Sequence, residues 1–495
     1  MTMRRLKCLP RFFKYLLKND LSNERGRSVS SFSQGEISLQ TFGLKRLHNE
    51  PIFSANQQVH NQLFHSTTTS LKMRRQEYSS GLLSGRALQQ QTAECIDNLP
   101  GPSNISFQDL VLQRSKTLKV KPKPDAQTLK FGAVCTDHML QITWTEAHGW
   151  KAPAINPLGP LTLHPCSQVL HYAIECFEGM KAFRGKDGCV RLFRPDMNMH
   201  RLFCSAARIG LPHFDKVALL ECIKELLRVE KDWIPSEEGF SLYIRPTMIA
   251  TDSVLGLAPT KEAMLFVVLS PVGPYFPSGL KPIRLLVDTK HARAFPGGVG
   301  NNKVGGNYAP TLVPQKQAAE RGCSQVLYVL QDGLGKGGLV GEAGAMNLFV
   351  LLRSTNLNEE LELVTPALDG TILPGVTRDS VLRLSKSFGN MKVSERQLYF
   401  NEIEDAASEG RVIEVFGTGT ACMIQPISGF VKEDGTEISL KFDSKAAEYW
   451  LRKLPGSLSN CNQDYEPISL CGRLTRKLLD IYYGYTEHPW SVVVN

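Results

Sequence analysis

The chain has 495 residues, of which 42% are hydrophobic and 21% charged, a composition typical of a globular protein with about two domains plus extensions. The net charge of +9 comes mainly from the first hundred residues, where fourteen Lys and Arg accompany seven Asp and Glu. The nearly neutral remainder gives no support for a nucleic-acid partner, and no apolar run is long enough to cross a membrane. Twelve cysteines without a C-x-x-C pair argue against a zinc ribbon or a dithiol redox motif, and we expect no metal site.

The N-terminal segment "MRRLKCLPRFFKYLLKND" places basic and apolar residues at helical spacing on opposite faces. Ser-rich, acid-poor sequence follows, which is the composition of a mitochondrial presequence. We therefore expect localisation in the mitochondrial matrix; the alternative is a disordered basic tail. Gln- and Ser-rich sequence then predicts an unstructured spacer, so that presequence and spacer together occupy residues 1–110.

From about residue 127, strand-like apolar runs alternate with helical patterns, which predicts an α/β (α+β) fold. Residues 270–282 are rich in Pro and Gly and predict an interdomain linker. We expect a small α/β domain over 111–269 and a larger ligand-binding domain over 283–495, with 452–468 as an inserted loop. Ligand sites concentrate at domain interfaces, so residues just beyond the linker are candidates for a functional site.

The motif "GLGKGG" at 333–338 fits the G-x-G-x-x-G pattern of dinucleotide-binding proteins. That pattern requires a helix directly after it, but the strand-like run "LVGEAGAMNLFVLL" follows here. We interpret the motif as a hairpin turn between two strands.

The stretch "GGVGNNKVGGNY" at 297–308 surrounds Lys303 with five glycines. It is open to three interpretations: a solvated surface loop, a phosphate loop, or a lysine that forms a Schiff base with a carbonyl cofactor. A phosphate loop needs Gly directly before the lysine and Ser or Thr after it, and Asn302 and Val304 do not fit. The position beyond the linker favours the Schiff-base lysine, with the glycines leaving room for cofactor and substrate beside the backbone.

Three further segments indicate cofactor chemistry around such a lysine. Glu342 in "GEAGAMNLF" is a carboxylate that could keep a pyridine nitrogen protonated. The segment "TILPGVTRDSVLRLS" (371–385) predicts a turn into a helix whose first N–H groups form an anion site. The segment "EVFGTGTACMI" (414–424) predicts a second turn of small residues with exposed N–H groups.

The chain resembles the branched-chain amino-acid aminotransferases, which are pyridoxal-phosphate enzymes of fold type IV, and is most similar to the eukaryotic mitochondrial form. The resemblance covers about 127–450 and resumes at "LTRKLLDIYYGYTEHPWSVVV". Six motifs in the order of the family carry it: "FEGMKAFRG", "YIRP", "AFPGGVGNNKVGGNYAPT", "GEAGAMN", "LPGVTR" and "FGTGTAC".

The resemblance implies pyridoxal 5'-phosphate as the cofactor and a role for each matching residue. Lys303 would form the Schiff base and later move the substrate proton, and Glu342 would pair with the pyridine nitrogen. Arg201 in "NMHRLF" would clamp the phosphate. The other implied cofactor contacts are the N–H groups of Val376, Thr377 and Thr420, the Leu373 side chain on the ring, and the Tyr308 hydroxyl on the phenolic oxygen.

The resemblance also implies the substrates: L-leucine, L-isoleucine and L-valine with 2-oxoglutarate, which give branched-chain 2-oxo acids and L-glutamate. The glutamate γ-carboxylate would be received by the Tyr172 hydroxyl and Arg245, and the α-carboxylate by the Thr420–Ala421 turn. One methylene discriminates by only about 1–3 kcal/mol, so we expect all three amino acids to react. A homodimer is implied as well. The aromatic pocket would be lined by Phe131, Tyr172, Phe177, Tyr243 and Tyr308.

Two positions depart from the family pattern. Ala345 stands where many relatives have Thr, which implies weaker tuning of the cofactor without loss of activity. Cys422 is followed three positions later by Gln425, so the C-x-x-C thiol switch of mammalian relatives cannot form. A D-amino-acid aminotransferase, an aminodeoxychorismate lyase and a non-catalytic binding paralogue remain alternatives.

Overall fold

The computed structural model describes residues 104–121, 129, 131–275, 281–331, 337–354, 361–389, 391–440 and 469–494. All of them belong to one compact unit that spans Leu83–Asn495. The predicted presequence and the predicted insertion at 452–468 lie outside the described residues.

The first of two mixed sheets is built from ten strands within the described ranges. Helices α1 (Gln168–Tyr172), α2 (Pro195–Arg208) and α3 (Lys216–Val229) accompany it. The strand order is β1 (Val111–Leu112), β4 (Ala154–Pro157), β2 (His138–Thr145), β9 (Glu262–Val272), β8 (Ser241–Ala250), β6 (Met180–Arg184), β7 (Val190–Phe193) and β19 (Ser491–Val494), with β3 (Gly149–Trp150) on β2 and β5 (Glu175–Phe177) on β8.

Helix α3 shows how the apolar spacing builds this domain. Leu219, Ile223 and Leu226 recur at helical spacing and are fully buried in the first core. The Asp215 carboxylate caps the helix by accepting from the N–H groups of residues 217 and 218. The sequence pattern predicts a helix to residue 233, but α3 ends at Val229 and a short 3-10 turn follows.

The second sheet has nine strands within the described ranges. Helices α4 (Leu312–Glu320), α5 (Val376–Ser387), α6 (Phe400–Ser408) and α7 (Leu470–Tyr482) accompany it. The strand order is β12 (Leu339–Ala343), β11 (Gln325–Leu330), β10 (Ile283–Asp288), β17 (Met423–Val431), β16 (Val412–Gly419), β13 (Asn347–Arg353), β14 (Leu361–Pro366) and β15 (Met391–Arg396), with β18 (Glu437–Ser439) on β17.

Two sheets with flanking helices confirm the predicted two-domain α/β architecture. At three places, however, the structure differs from the predicted boundaries. Ile105 is buried in the first core, so packed structure begins before the predicted boundary at 110. Strand β9 continues to Val272 because it pairs with β8 through Ser241, which shortens the predicted linker at 270–282. Strand β19 pairs with β7, so the C-terminal end returns to the first sheet instead of the second.

The predicted hairpin at 333–338 is consistent with the antiparallel pairing of β11 with β12, although residues 332–336 lie outside the described ranges. The strand β12 follows the motif directly, at the place where a dinucleotide-binding motif requires a helix. None of the described helices combines the length and apolar character that a membrane span needs.

Candidate active site

The backbone of Lys303 is fixed against the first domain. Its N–H donates to the Ser205 hydroxyl on α2 at 2.9 Å, and its carbonyl accepts from Phe177 N–H at the end of β5 at 3.0 Å. Its amine donates to the Tyr308 hydroxyl at 3.0 Å and lies 4.7 Å from the centre of the Phe177 ring. The lysine is thus held by backbone contacts while its side chain ends between two aromatic rings.

Crowding explains some of the glycines around Lys303, whereas others face open space, so the prediction that they leave room for ligands holds only in part. A Cβ on Gly305 would collide with the Glu175 carboxylate. A Cβ on Gly300 would lie 2.5 Å from the Ala294 Cβ and 2.6 Å from the Thr371 carbonyl oxygen. Within the described residues, no atom lies within 4 Å of a Cβ on Gly306, so this glycine does face open space.

We predict that Gly300→Ala destabilises the ligand-free protein by about 1–3 kcal/mol, because the Thr371 backbone beside it cannot move without distorting the turn. The matched control, Gly306→Ala, meets open space and should change the free energy of unfolding by less than about 1 kcal/mol. Denaturant unfolding of both variants measures the difference. Equal losses would mean that crowding is not the reason for glycine at 300.

Glu342 lies at 3% exposure in β12 with both carboxylate oxygens engaged. Arg293, which follows β10, pairs with Oε2 at 2.5 Å, and Asn347 donates to Oε1 at 3.0 Å. The same Asn347 amide nitrogen donates to the Leu373 carbonyl, which ties the carboxylate to the loop before α5. Burial raises the pKa of Glu342, and the Arg293 guanidinium opposes that shift.

Arg201 on α2 is buried and bound to a carboxylate that sequence reasoning missed. Its Nε lies 2.6 Å from Glu178 Oε1 and its Nη2 lies 2.9 Å from Glu178 Oε2. Its Nη1 donates to the Pro374 carbonyl at 3.0 Å. Burial of Glu178 works against its ionisation, but the adjacent Arg201 guanidinium keeps its pKa below the usual value. Three of the five guanidinium N–H groups are thus engaged, and two remain for a phosphate.

The residues predicted to bind phosphate through the backbone lie together. Val376, Thr377 and Thr420 line one cavity. Helix α5 begins at Val376 behind Gly375, which provides no side-chain cap, and a Cβ at Gly375 would collide with the Asn347 amide. Within the described residues, the N-cap position supplies no side-chain acceptor to the first N–H groups of α5, so these groups are available to an external acceptor and the site fits a phosphate group.

Aromatic rings form the wall next to Lys303. Phe177 and Tyr308 have ring centres 5.0 Å apart, and Phe131 packs edge-on against Tyr243 at 4.7 Å. The Arg245 guanidinium lies over the Phe177 and Tyr243 rings, at 4.6 and 5.2 Å, and donates to the Tyr243 hydroxyl at 3.1 Å. These contacts place an arginine on an otherwise aromatic surface.

Two tyrosines differ from the predicted lining of the pocket: Tyr172 is exposed, and Tyr275 is an additional aromatic residue beside Phe131. Tyr172, at the end of α1, is 42% exposed and donates to the Leu255 carbonyl in the loop between β8 and β9. Tyr275 was not predicted, but its ring lies 5.7 Å from that of Phe131. The only signal for Tyr275 in the sequence is an aromatic residue within the Pro- and Gly-rich segment that follows β9.

Comparison with known proteins identifies relatives of this chain. A family model described as amino-transferase class IV matches residues 175–430. The cytosolic branched-chain-amino-acid aminotransferase of Mus musculus is 45% identical over 385 residues, which cover 78% of this chain and 92% of that protein. The mitochondrial enzyme of Rattus norvegicus is 45% identical over 401 residues, which cover 81% of this chain and 95% of that protein.

The chain belongs to the branched-chain-amino-acid aminotransferase family. A solved structure, the branched-chain amino acid aminotransferase from Thermobaculum terrenum in its PLP-form, is 19% identical with a TM-score of 0.51, and the match covers 72% of this chain and 98% of that one. Its fold supports the fold-type IV architecture. The curated relatives include both mitochondrial and cytosolic enzymes.

In this chain, Gln425 occupies the position where a C-x-x-C motif would have its second thiol, and its side chain has a structural role. Gln425 is buried in β17, and its side-chain amide donates to the Lys281 carbonyl at 2.7 Å. Burial raises the pKa of the Cys422 thiol to about 12, although nearby Lys181 opposes the shift. A thiol with such a pKa is almost entirely protonated at neutral pH and reacts slowly with oxidants.

We therefore predict that mild peroxide changes activity less than about twofold and that dithiothreitol restores no latent fraction. Activity before and after peroxide, with mass spectrometry of peptides bridged through a disulfide, measures this. Cys422→Ser serves as the control and should behave as the wild type does. A reversible loss of most activity, with a disulfide mapped to Cys422, would contradict the prediction.

Proposed function

We propose that the protein is a pyridoxal-phosphate-dependent transaminase of L-leucine, L-isoleucine and L-valine with 2-oxoglutarate. The observation that carries the proposal is the Lys303 amine, held 3.0 Å from the Tyr308 hydroxyl between two aromatic rings. Buried Glu342 and the phosphate-compatible start of α5 complete the set that the family needs. Membership of the aminotransferase family supports the reaction class.

When bound, pyridoxal phosphate supplies a protonated pyridine ring that accepts the electrons of the substrate Cα–H bond. Glu342 holds the proton on the ring nitrogen, and Arg293 and Asn347 fix the orientation of its carboxylate. Lys303 would take the proton from the substrate Cα and deliver it to the aldehyde carbon of the cofactor, on the other side of the substrate nitrogen, so one amine serves as base and then as acid. Tyr308 orients that amine and helps to exclude water from it.

The aromatic wall suits branched aliphatic side chains, because Phe177, Tyr308 and Tyr243 offer apolar faces. The same surface must also receive a side-chain carboxylate, since 2-oxoglutarate is the second substrate. Arg245 supplies the charge: its Nε is buried and makes no hydrogen bond within the described residues. The Thr420–Ala421 turn would receive the α-carboxylate.

We further propose a homodimer. Large apolar side chains are exposed on α1 and on the loop between β8 and β9, and such a patch is typical of an interface between subunits. They are Leu170 at 57%, Tyr172 at 42%, Val254 at 50%, Leu255 at 60% and Leu257 at 73% exposure. Sedimentation of the active enzyme tests this, and a fully active monomer would refute it.

The finer assignment to mitochondria rests on the basic amphipathic N-terminal segment and on the mitochondrial relatives. A fusion of residues 1–110 to a reporter should be imported by isolated mitochondria and shortened by proteolysis. Import that is lost when the basic residues of the first twenty are replaced by Gln supports the assignment; a reporter that stays outside refutes it.

The reaction is tested by steady-state assays with L-leucine and with D-alanine, each with 2-oxoglutarate. We expect turnover of L-leucine and little of D-alanine. Faster turnover of D-alanine would favour a D-amino-acid aminotransferase, and release of pyruvate from aminodeoxychorismate would favour the lyase. Protein that shows no visible absorbance change with added pyridoxal phosphate would favour a non-catalytic paralogue.

A further inference from the structure

Two arginines close to the loop before α5 are already paired with carboxylates, which leaves a need for one more cation beside a phosphate. Arg201 is bound by Glu178 through two guanidinium nitrogens, and Arg293 is paired with Glu342. Each pair is close to neutral. A phosphate monoester, in contrast, carries a charge of about −1.5 to −2 at neutral pH.

Lys181, on β6 in the motif "FEGMKAFRG", meets this need. It is only 8% exposed, and it lines the cavity together with Val376, Thr377 and Thr420. Its amine donates to the Ala421 carbonyl at 2.8 Å. Within the part of the chain that the structure describes, no ion pair joins Lys181 to a carboxylate.

A buried ammonium group without a counter-ion is costly, and burial lowers the pKa of Lys181 to about 8. An anion that binds beside it would recover that cost. The N-terminus of α5 on the same cavity adds the partial positive charge of uncapped N–H groups. The Lys181 ammonium group and the N-terminus of α5 therefore both favour an anionic ligand.

We propose that Lys181 is the second cation of the phosphate site and binds the phosphate of the cofactor together with Arg201. This inference rests on the proposed function, because it assumes that the aldehyde bound by Lys303 carries a phosphate. Lys181 then contributes to cofactor affinity, and Arg201, with its Glu178 partner, contributes mainly to the position of the phosphate.

The test compares pyridoxal 5'-phosphate with pyridoxal, which has the same aldehyde and lacks the phosphate. Apoenzyme of the wild type, of Lys181→Met and of Lys181→Arg is titrated with each, and the absorbance of the Schiff base gives the Kd. Because Lys303 reacts alike with both aldehydes, the ratio of the two Kd values isolates the phosphate contribution. Lys261→Met, which changes a lysine that is 68% exposed, is the control.

We expect Lys181→Met to raise the Kd of pyridoxal 5'-phosphate by about 10- to 100-fold and to change the Kd of pyridoxal less than about threefold. Lys181→Arg should keep the Kd of pyridoxal 5'-phosphate within about fivefold of the wild type. Inorganic phosphate should compete with pyridoxal 5'-phosphate in the wild type more strongly than in Lys181→Met.

Equal weakening of both aldehydes would overturn the proposal, since it would mean that Lys181 only supports the Ala421 turn. An unchanged Kd of pyridoxal 5'-phosphate with a raised KM for leucine would also overturn it, since it would mean that Lys181 binds the substrate carboxylate. If Lys181→Met unfolds, Lys181→Gln and the competition by inorganic phosphate decide. Wild-type protein that binds neither aldehyde would instead refute the proposed function.

Discussion

Lys303→Ala is expected to lower kcat for L-leucine by at least about 1000-fold, while the protein still binds pyridoxal 5'-phosphate non-covalently. The variant removes the amine that both holds the aldehyde and transfers the proton. Among the described residues, that amine donates to the Tyr308 hydroxyl, and a hydroxyl cannot form a Schiff base in its place. Arg201 and the start of α5 are left intact, so the proposed phosphate contacts should survive.

Steady-state assays and a count of bound cofactor after dialysis measure the two effects. Lys290→Ala, which changes a lysine that is 73% exposed, is the matched control and should keep wild-type activity. Activity of Lys303→Ala within tenfold of the wild type would show that another lysine is the catalytic residue.

Glu342→Gln is expected to lower kcat by about 100-fold or more, because a neutral amide does not hold a proton on the ring nitrogen. The same change leaves the Arg293 guanidinium buried without its counter-charge, which costs about 3–5 kcal/mol of stability. Two separate losses therefore come from one substitution, and they have different physical origins.

A double variant separates these losses. Glu342→Gln with Arg293→Met removes both charges, so the free energy of unfolding should recover in part. The activity should not recover, because the carboxylate is still missing. Denaturant unfolding and steady-state assays measure the two quantities. If the free energy of unfolding and the activity both recovered, Glu342 would act only through protein stability.

Local features of the sequence predicted the elements and the candidate site residues. The strand-like runs "SLYIRPTMI" and "EAMLFVVL" became β8 and β9, and most of the helical pattern at 217–233 became α3. These patterns succeed because burial against a sheet imposes a fixed period on the chain. The motif around Lys303 was recognisable for a similar reason, since its residue types are adjacent in sequence.

The tertiary structure alone decided what partners those residues have. Glu178 binds Arg201 from the turn between β5 and β6, Arg293 reaches Glu342 from beyond the end of β10, and Lys181 meets the Thr420–Ala421 turn across 240 positions. The crowding of Gly300 by Thr371 and the return of β19 to β7 are equally non-local. Sequence periodicity describes one segment at a time, whereas charge pairing and close packing depend on which segments the fold brings together.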